Sequence, residues 1–335
     1  MHAYDTRSHC VYDLDGSASQ IGVGALIETM SMAASTCGLR VQASRITDSA
    51  IERPLIDIRF IADSEIRADA LTAFIETRSV YRRALSARSL TRAEKAALTM
   101  SIGDRFELVW RETASERRRV ASLLFASAKL RLIMPEAYLV HRDAIEWAAT
   151  FSEDRVPEAA VGLDPMTARL MRWVMGSWAR VQFFNRFLAG TWVPRIQLDI
   201  VPALKCAAHF MLVSKQPPRT IDDFIAAGRA VQRFWLTAAS LDLQLQPEVT
   251  PLIFARYSRS GLQFSNLRAA PVLAAKIESR LEKVFGATAA KNAVFMGRVG
   301  AGRLATARSL RLPLERLMFD PAAPLGDQKL RRTSR

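Results

Sequence analysis

The alternation of apolar and polar residues changes its period within residues 226–250. Apolar side chains first recur at helical spacing, as at Ala230, Phe234 and Leu241. From Leu243 onward, leucines alternate with glutamines in the run LQLQP, which is the period of two of a strand. This stretch therefore predicts a long buried helix that runs directly into a short strand. The glutamine edge of that strand can face a ligand.

A weaker copy of this helix–strand pattern lies near the N-terminus, in residues 24–42. A shift of 204 in residue number (228 − 24) aligns Gly24 with Gly228 and Gln42 with Gln246. The shared order of glycine, apolar helix and glutamine-bearing strand favours a duplication, although residues this common also agree by chance. Two copies indicate two similar halves packed together rather than a solenoid, which needs three or more repeats.

Hydrophobic patterning predicts further elements of both types. Residues 54–62 alternate strictly and predict a strand with one wet face, and the apolar run 206–214 predicts a buried strand. The arginine-rich residues 75–92 predict a helix with Arg78, Arg82 and Arg83 on one side. Residues 166–188 predict one long helix, whose aromatic stripe favours a core or a dimer interface over a ligand site.

Composition limits the class of protein and its partners. The chain has 335 residues, half of them apolar, and a net charge of +14. This charge favours phosphate-bearing partners, either nucleic acid or a phosphorylated cofactor, while compositional bias of the genome explains the arginines equally well. No window holds about 18 consecutive apolar residues, so neither a membrane span nor a membrane partner is expected. Three scattered cysteines and the lack of a signal peptide predict a reducing, cytoplasmic location.

Established catalytic motifs are missing from the sequence. There is no dinucleotide-binding glycine motif, Walker loop, zinc-protease motif or nucleophile elbow, and no metal-ligand spacing. His141 and His209 fit structural roles better than catalytic ones. What remains is arginine beside small residues, first around Arg78 and again around Arg308. Guanidinium forks with hydroxyls and free amides suit a phosphate monoester, although a solvated helix face and a basic tail explain the same spacing.

Three segments, in order along the chain, resemble the nitroreductase-like family of flavoproteins. IETRSVYRRAL resembles the arginine–serine motif that opens these enzymes, and WLTAASLDLQLQP resembles their helix–strand core. FMGRVGAGRLATARSLRLPLERLM resembles their closing strand and phosphate-binding end. The middle of the chain is also similar to the nitroreductase-type half of proteins fused to an adenylating domain of the ubiquitin-activating type. No such domain is found here, and the ring-side asparagine and glutamine–proline–tryptophan segment of the divergent branch is missing.

The resemblance implies an α+β fold, a mixed or antiparallel sheet flanked by long helices. Residues 1–65 would form a partial first half, residues 66–320 the main domain, and residues 321–335 a disordered basic tail. The two halves would mimic, within one chain, the family's homodimer; a homodimer of the whole chain is the other reading. The implied cofactor is FMN, with NAD(P)H as electron donor. The residues that carry over for cofactor binding are Arg78, Ser79, Arg82, Gln246, Gly297, Arg298 and Arg308.

The implied function is an FMN-dependent oxidoreductase that acts on a small-molecule substrate. The missing ring-side segment leaves open a degenerate relative that sequesters flavin or binds a partner, such as a separately encoded adenylating enzyme. Nucleic-acid binding rests on charge alone and ranks last. If the family reading holds, Arg78 or Arg82 should converge with Arg308 on one phosphate-sized pocket, because neighbouring guanidinium groups repel one another unless an anion lies between them.

Overall fold

The computed structural model describes residues 1–187 and 190–318, and the predicted tail at 321–335 lies outside them. The helices are α1 (Ser17–Ser35), α2 (Arg92–Ser101), α3 (Ala114–Ile133), α4 (Pro135–Ala144), α5 (Glu158–Val161), α6 (Pro165–Met175), α7 (Trp178–Phe187), α8 (Trp192–Arg195), α9 (Val201–Leu204), α10 (Ile221–Ser240), α11 (Thr250–Ser260), α12 (Ala270–Phe285), α13 (Ala287–Asn292) and α14 (Leu314–Leu317). The strands are β1 (Leu39–Arg45), β2 (Ile56–Ala62), β3 (Phe106–Arg111), β4 (Ile145–Glu146), β5 (Phe151–Ser152), β6 (Val156–Pro157), β7 (Ala208–Ser214), β8 (Leu243–Pro247), β9 (Ala293–Ala301) and β10 (Arg308–Ser309).

A four-stranded antiparallel sheet forms the centre, in the order β3-β7-β9-β8. Every residue of β7 is buried, because helices cover both faces of the sheet. Met211 and Val213 point toward α3, α11 and α12, whereas Phe210 and Leu212 point toward α2 and α10. This arrangement confirms the predicted α+β class, with an antiparallel sheet between long helices, and it confirms the buried strand in residues 206–214.

The helix α10 and the strand β8 are the predicted helix–strand core. Thr220 caps α10 in a capping box with Asp223, which satisfies free amides at the N-terminus of the helix. The helix packs its buried side chains on the sheet, and the chain turns at Asp242 into β8. The change of period near Leu241 therefore marks the boundary between the two elements correctly.

The N-terminal copy also folds as a helix followed by a strand, and α1 packs against α10. The two helices touch through glycines: a Cβ on Gly24 would lie 2.0 Å from the carbonyl oxygen of Ile225, and one on Gly228 would lie 2.0 Å from that of Ile21. Polar bonds beside this contact join Arg233 to Glu28 at 2.6 Å and Gln232 to Thr29 at 3.0 Å. These contacts are reciprocal under the shift of 204, since Ile21 corresponds to Ile225 (225 − 21) and Glu28 corresponds to Gln232 (232 − 28).

The equivalence extends to the next strand, which the sequence pattern did not indicate. In the hairpin β1–β2, Leu39 pairs with Ala62 and Gln42 pairs with Arg59. The β8–β9 pair has the same residues in the same register, since Leu243 pairs with Ala301 and Gln246 pairs with Arg298. The units α1-β1-β2 and α10-β8-β9 thus each contain a helix, a strand and an antiparallel partner strand.

Two predicted helices differ in the structure. Residues 75–92 form no helix over Arg78, Arg82 and Arg83; after a 3₁₀ helix at Ala70–Phe74, the chain runs irregularly across the sheet edge. Tyr81 donates its amide to the Leu245 carbonyl at 3.1 Å, and Ser86 donates to Ala301 at 2.8 Å. The edge strand β8 and the end of β9 offer backbone partners that outweigh the local helical pattern.

The single aromatic helix predicted at 166–188 is divided into α6 and α7 around Gly176. Of its aromatic side chains, Trp178 and Phe184 are half-buried, but Trp173, Phe183 and Phe187 are exposed. The stripe is therefore only partly buried, and the alternative of a dimer interface stays a prediction. Across the residues the structure describes, no helix is long and apolar enough to cross a membrane.

Candidate functional site

A cavity of about 270 Å³ lies beside the ends of β8 and β9. It brings together Arg82, Gln246 and Arg298, three of the residues selected from the sequence. Polar residues that were not selected also line it, and they are Ser127, Arg131, His141, Asp199, Glu248 and Thr250. The remaining wall is mainly apolar and includes Leu124, Trp147, Val156, Met171 and Met175. The site combines an apolar wall with several charged side chains, a lining typical of ligand pockets.

Arg298 is held by a buried ion-pair network at the inner wall. Its guanidinium donates from Nη1 to Glu248 at 2.9 Å and from Nη2 to the Arg82 carbonyl at 2.8 Å. The second oxygen of Glu248 lies 2.7 Å from Nδ1 of His209. Burial alone would lower the pKa of His209, but the Glu248 carboxylate raises it to about 10. His209 is therefore a charged partner of Glu248, which agrees with the structural role expected from its position in a strand.

Arg82 reaches the cavity from the crossing segment. Its Nη1 donates to the carbonyl oxygen of Ala160 at 3.2 Å. Burial and then repulsion from Arg298 and Arg131 lower the pKa of Arg82 to about 10. Three guanidinium groups thus share this space, whereas the carboxylates that line it come from Asp199 and Glu248.

Four buried polar atoms of the cavity lining have no hydrogen-bond partner in the part of the chain that the structure describes. They are Ser127 Oγ, Arg131 Nε, Gln246 Oε1 and Arg298 Nε. An unpaired buried polar atom costs about 1–3 kcal/mol, so four such atoms around one cavity point to a ligand that pairs with them. The set contains two cationic donors, one acceptor and one hydroxyl.

Asp199 lies in a π-helical turn, Ile196–Ile200, at the cavity wall. Its carboxylate is 3.5 Å from Nη2 of Arg131. Burial raises its pKa to about 6, against the attraction of Arg131. π-Helical turns occur often at functional sites. Asp199 is therefore a largely buried acid, 14% exposed at its side chain, with a pKa of about 6.

A second basic group, here called the arginine cluster, consists of Arg78, Arg308 and Arg311. Arg308 donates to the Glu76 carbonyl at 2.7 Å and Arg311 donates to the Ile75 carbonyl at 2.9 Å. Burial and then Arg311 lower the pKa of Arg78 to about 10. None of the three forms an ion pair with a carboxylate of the described residues 1–187 and 190–318, and Nε of Arg78 is buried without a partner.

Arg78 is further fixed by stacking, since its guanidinium lies 4.3 Å from the ring centre of Trp235. Arg308 belongs to β10, which pairs with β5, so it is placed by the fold rather than by a loose tail. The structure therefore brings Arg308 to the segment that precedes Arg78, while Arg82 lies at the cavity. Convergence of Arg78 and Arg308 on one phosphate stays a prediction, and Arg82 belongs to the other group.

The two other selected residues have local roles. Gly297 keeps β8 and β9 close, because a Cβ there would lie 2.7 Å from the Gln246 carbonyl oxygen. Ser79 donates its hydroxyl to the Val80 carbonyl at 3.3 Å.

Sequence reasoning missed Arg131, Asp199 and Glu248 because each lies outside a recognisable motif. The position of Glu248 just after β8 was the one usable signal. Arg311 was visible in the spacing after Arg308 but was not selected.

Comparison with known proteins assigns no family. No protein-family model matches the chain, and no curated protein matches it. In structure, the chain is distantly similar to the nitroreductase-like family protein from Bacillus cereus, with a TM-score of 0.37 and 11% identity. The similarity covers 76% of this chain and 97% of that chain. Likeness at this level assigns no activity.

Proposed function

We propose that the chain binds FMN, with the flavin ring in the cavity and the phosphate at the arginine cluster. The observation that carries this proposal is that each place holds a half-buried arginine without a carboxylate partner among the described residues, Arg78 at the arginine cluster and Arg82 at the cavity. In the arginine cluster, burial and then repulsion from Arg311 disfavour the charged form of Arg78. A phosphate removes that penalty, because it accepts charge-assisted hydrogen bonds from several guanidinium groups.

The unpaired atoms of the cavity fit the edge of a flavin ring. Such a ring offers carbonyl oxygens as acceptors and an imide N–H as a donor. Nε of Arg298 and Nε of Arg131 supply donors, and Oε1 of Gln246 supplies an acceptor. The apolar wall suits the dimethylbenzene part of the ring.

The spacing of the two basic groups suits one nucleotide-sized ligand. Arg78 and Arg82 are four residues apart in a segment without helical structure. Four extended residues span at most about 14 Å, so their side chains can hold opposite ends of a single molecule. β10, which carries Arg308, lies beside β6, which gives Val156 to the cavity wall.

The proposed reaction is an oxidoreduction with NAD(P)H as the electron donor and a small molecule as the substrate. FMN, when bound, supplies the redox chemistry, and the chain binds it, orients it and excludes water. Asp199 holds a proton whose pKa is near 6 at the same wall.

Titration of the purified protein with FMN tests the proposal. Arg308→Ala should weaken FMN binding by about 1.5–3 kcal/mol, the scale of a charged hydrogen bond. That loss equals about a 10- to 150-fold rise in Kd. Arg303→Ala is the matched control, because Arg303 is exposed in the same segment, outside both basic groups.

Protein that binds no FMN would contradict the proposal, and equal losses in the two variants would remove Arg308 from the phosphate site. FMN that binds but is not reduced by NAD(P)H would select the second candidate, a module that sequesters flavin without catalysis.

We also infer that the chain is an internal pseudo-dimer. The unit α1-β1-β2, within the predicted first half at 1–65, repeats α10-β8-β9 of the main domain at 66–320. Support comes from the identical Leu–Ala and Gln–Arg pairs of the two antiparallel strand pairs and from the reciprocal glycine contacts. Analytical ultracentrifugation should find a monomer that binds one FMN, whereas two equivalent sites per chain would contradict the inference.

A further inference from the structure

The helices α6 and α7 form a surface, here called the aromatic hairpin, whose outer face is apolar. Met166 is 78% exposed, Trp173 is 53% exposed and Phe187 is 64% exposed. On the other side, Val174 and Val181 are buried in a small core of their own. Both faces of the hairpin are thus apolar, and only the inner one is covered in the described part of the chain.

The apolar surface continues onto α8 and the π-helical turn. Trp192 is 54% exposed, Val193 52% and Ile196 42%. Scattered apolar residues are normal on protein surfaces, but a contiguous group of large aromatic ones marks a contact surface.

The charge of the aromatic hairpin is of one sign. Residues 165–187 contain Arg169, Arg172, Arg180 and Arg186 and no acidic residue. All four arginines are exposed, and none forms an ion pair with a described residue. Two of them lie over exposed aromatic rings: Arg180 is 4.6 Å from the ring centre of Trp173, and Arg186 is 5.4 Å from that of Phe187.

We propose that the aromatic hairpin docks on the surface of an anionic lipid bilayer. Aromatic and long apolar side chains enter the boundary between headgroups and acyl chains, and arginines on the same helices contact the anionic headgroups. The proposal concerns a helix pair lying in the interface, which needs no spanning segment. The expectation of no membrane partner rested on the lack of a spanning segment, which surface docking does not require. The proposal is independent of FMN.

A second copy of the chain fits this surface less well. A two-fold interface would place the same four arginines opposite one another, with no acidic residue of the hairpin to pair with them. The whole chain carries a net charge of +14, so like charge opposes self-association here and favours an anionic surface.

Sedimentation with lipid vesicles tests the proposal on the full chain. Vesicles of phosphatidylcholine alone are compared with vesicles that contain phosphatidylglycerol, and we expect binding only to the second kind. A charge variant replaces Arg169, Arg172, Arg180 and Arg186 with Gln. At about 1 kcal/mol per arginine near an anionic surface, or about 5-fold each, four replacements should weaken binding at least about 100-fold.

Two further variants separate specific docking from general charge. The control variant replaces Arg118, Arg119, Lys276 and Arg280, which are exposed elsewhere, with Gln and so has the same net charge as the charge variant. It should retain most of the binding. An aromatic variant, Trp173→Ser with Phe183→Ser and Phe187→Ser, should lose it while its circular dichroism stays unchanged, since these side chains are more than half exposed.

Several outcomes would overturn the proposal. These are no binding to phosphatidylglycerol vesicles, equal losses in the charge and control variants, or unchanged binding in the aromatic variant. Dimerisation that the aromatic variant abolishes, without vesicle binding by the parent protein, would assign the surface to a second copy instead.

Discussion

Replacement of Glu248 by Gln should reveal how strongly the buried network stabilises the fold. Glu248 is 7% exposed and lies between His209 at 2.7 Å and Arg298 at 2.9 Å. Glutamine keeps the shape and some hydrogen bonds but removes the negative charge that both cations face. Breaking a buried pair in this way typically costs about 3–5 kcal/mol, because the remaining charges stay desolvated.

The pKa of His209 gives an independent magnitude. Its rise from 6.5 to about 10 corresponds to roughly 5 kcal/mol of preference for the charged form, at about 1.36 kcal/mol per unit. Because the folded-state pKa is raised, this stabilisation is complete below pH 6.5 and is lost as the pH rises toward 10. The Glu248→Gln variant lacks the carboxylate that raises the pKa, so its unfolding free energy should depend less on pH in that window.

Urea unfolding of both proteins between pH 6.5 and pH 10 measures these effects. We expect the variant to be about 3–5 kcal/mol less stable at pH 7, with a gap that narrows toward pH 10. Glu107→Gln, on the exposed face of β3, should change stability by less than about 0.5 kcal/mol. The reasoning would be refuted if the unfolding free energies of Glu248→Gln and the parent protein changed in parallel with pH. It would also be refuted if their difference at pH 7 were no larger than that for the Glu107→Gln control.

Two other substitutions follow from the packing and from the cavity. Gly228→Ala should destabilise the fold by about 1–3 kcal/mol, because its Cβ would meet the Ile21 backbone. Gly22→Ala on α1 is the control: its Cβ meets nothing within 4 Å, so the substitution should be neutral or stabilising by up to about 1 kcal/mol. Thermal unfolding of both variants measures the difference. Asp199→Asn should raise the unfolding free energy at pH 7 by up to about 3 kcal/mol. Burial raises the pKa of Asp199 to about 6, so the folded state is destabilised as the pH rises from 3.8 to 6, and the variant lacks this loss. A difference in unfolding free energy between variant and parent that is no larger at pH 7 than at pH 4 would contradict that assignment.

Periodicity predicted the elements whose environment is uniform along their length. α10 and β8 pack against one sheet, so the spacing of Phe234 and Leu245 records their surroundings directly. The segment at 75–92 failed for the opposite reason. Its backbone bonds go to Leu245 and Ala301, which are distant in sequence, and no local pattern records them.

The candidate site was predicted in part for similar reasons. Arg82, Gln246 and Arg298 were selected from local motifs, and the sheet edge assembles them at one cavity. Arg131 and Asp199 reach that cavity from helical segments whose local sequence resembles any solvated helix. Burial gives these two side chains their chemistry, and burial by distant segments is not visible in a single sequence.

The packing of α1 on α10 has a consequence during synthesis on the ribosome. α1 ends at Ser35 and α10 begins at Ile221, so 185 residues (220 − 35) are translated between them. At a translation rate of about 5–20 residues per second, the face of α1 that carries Gly24 stays unpacked for roughly 10–40 s before α10 is synthesised. Local helix formation takes about a microsecond, so α1 forms long before it can dock. The nascent N-terminal unit therefore stays without its packing partner until α10 has been synthesised.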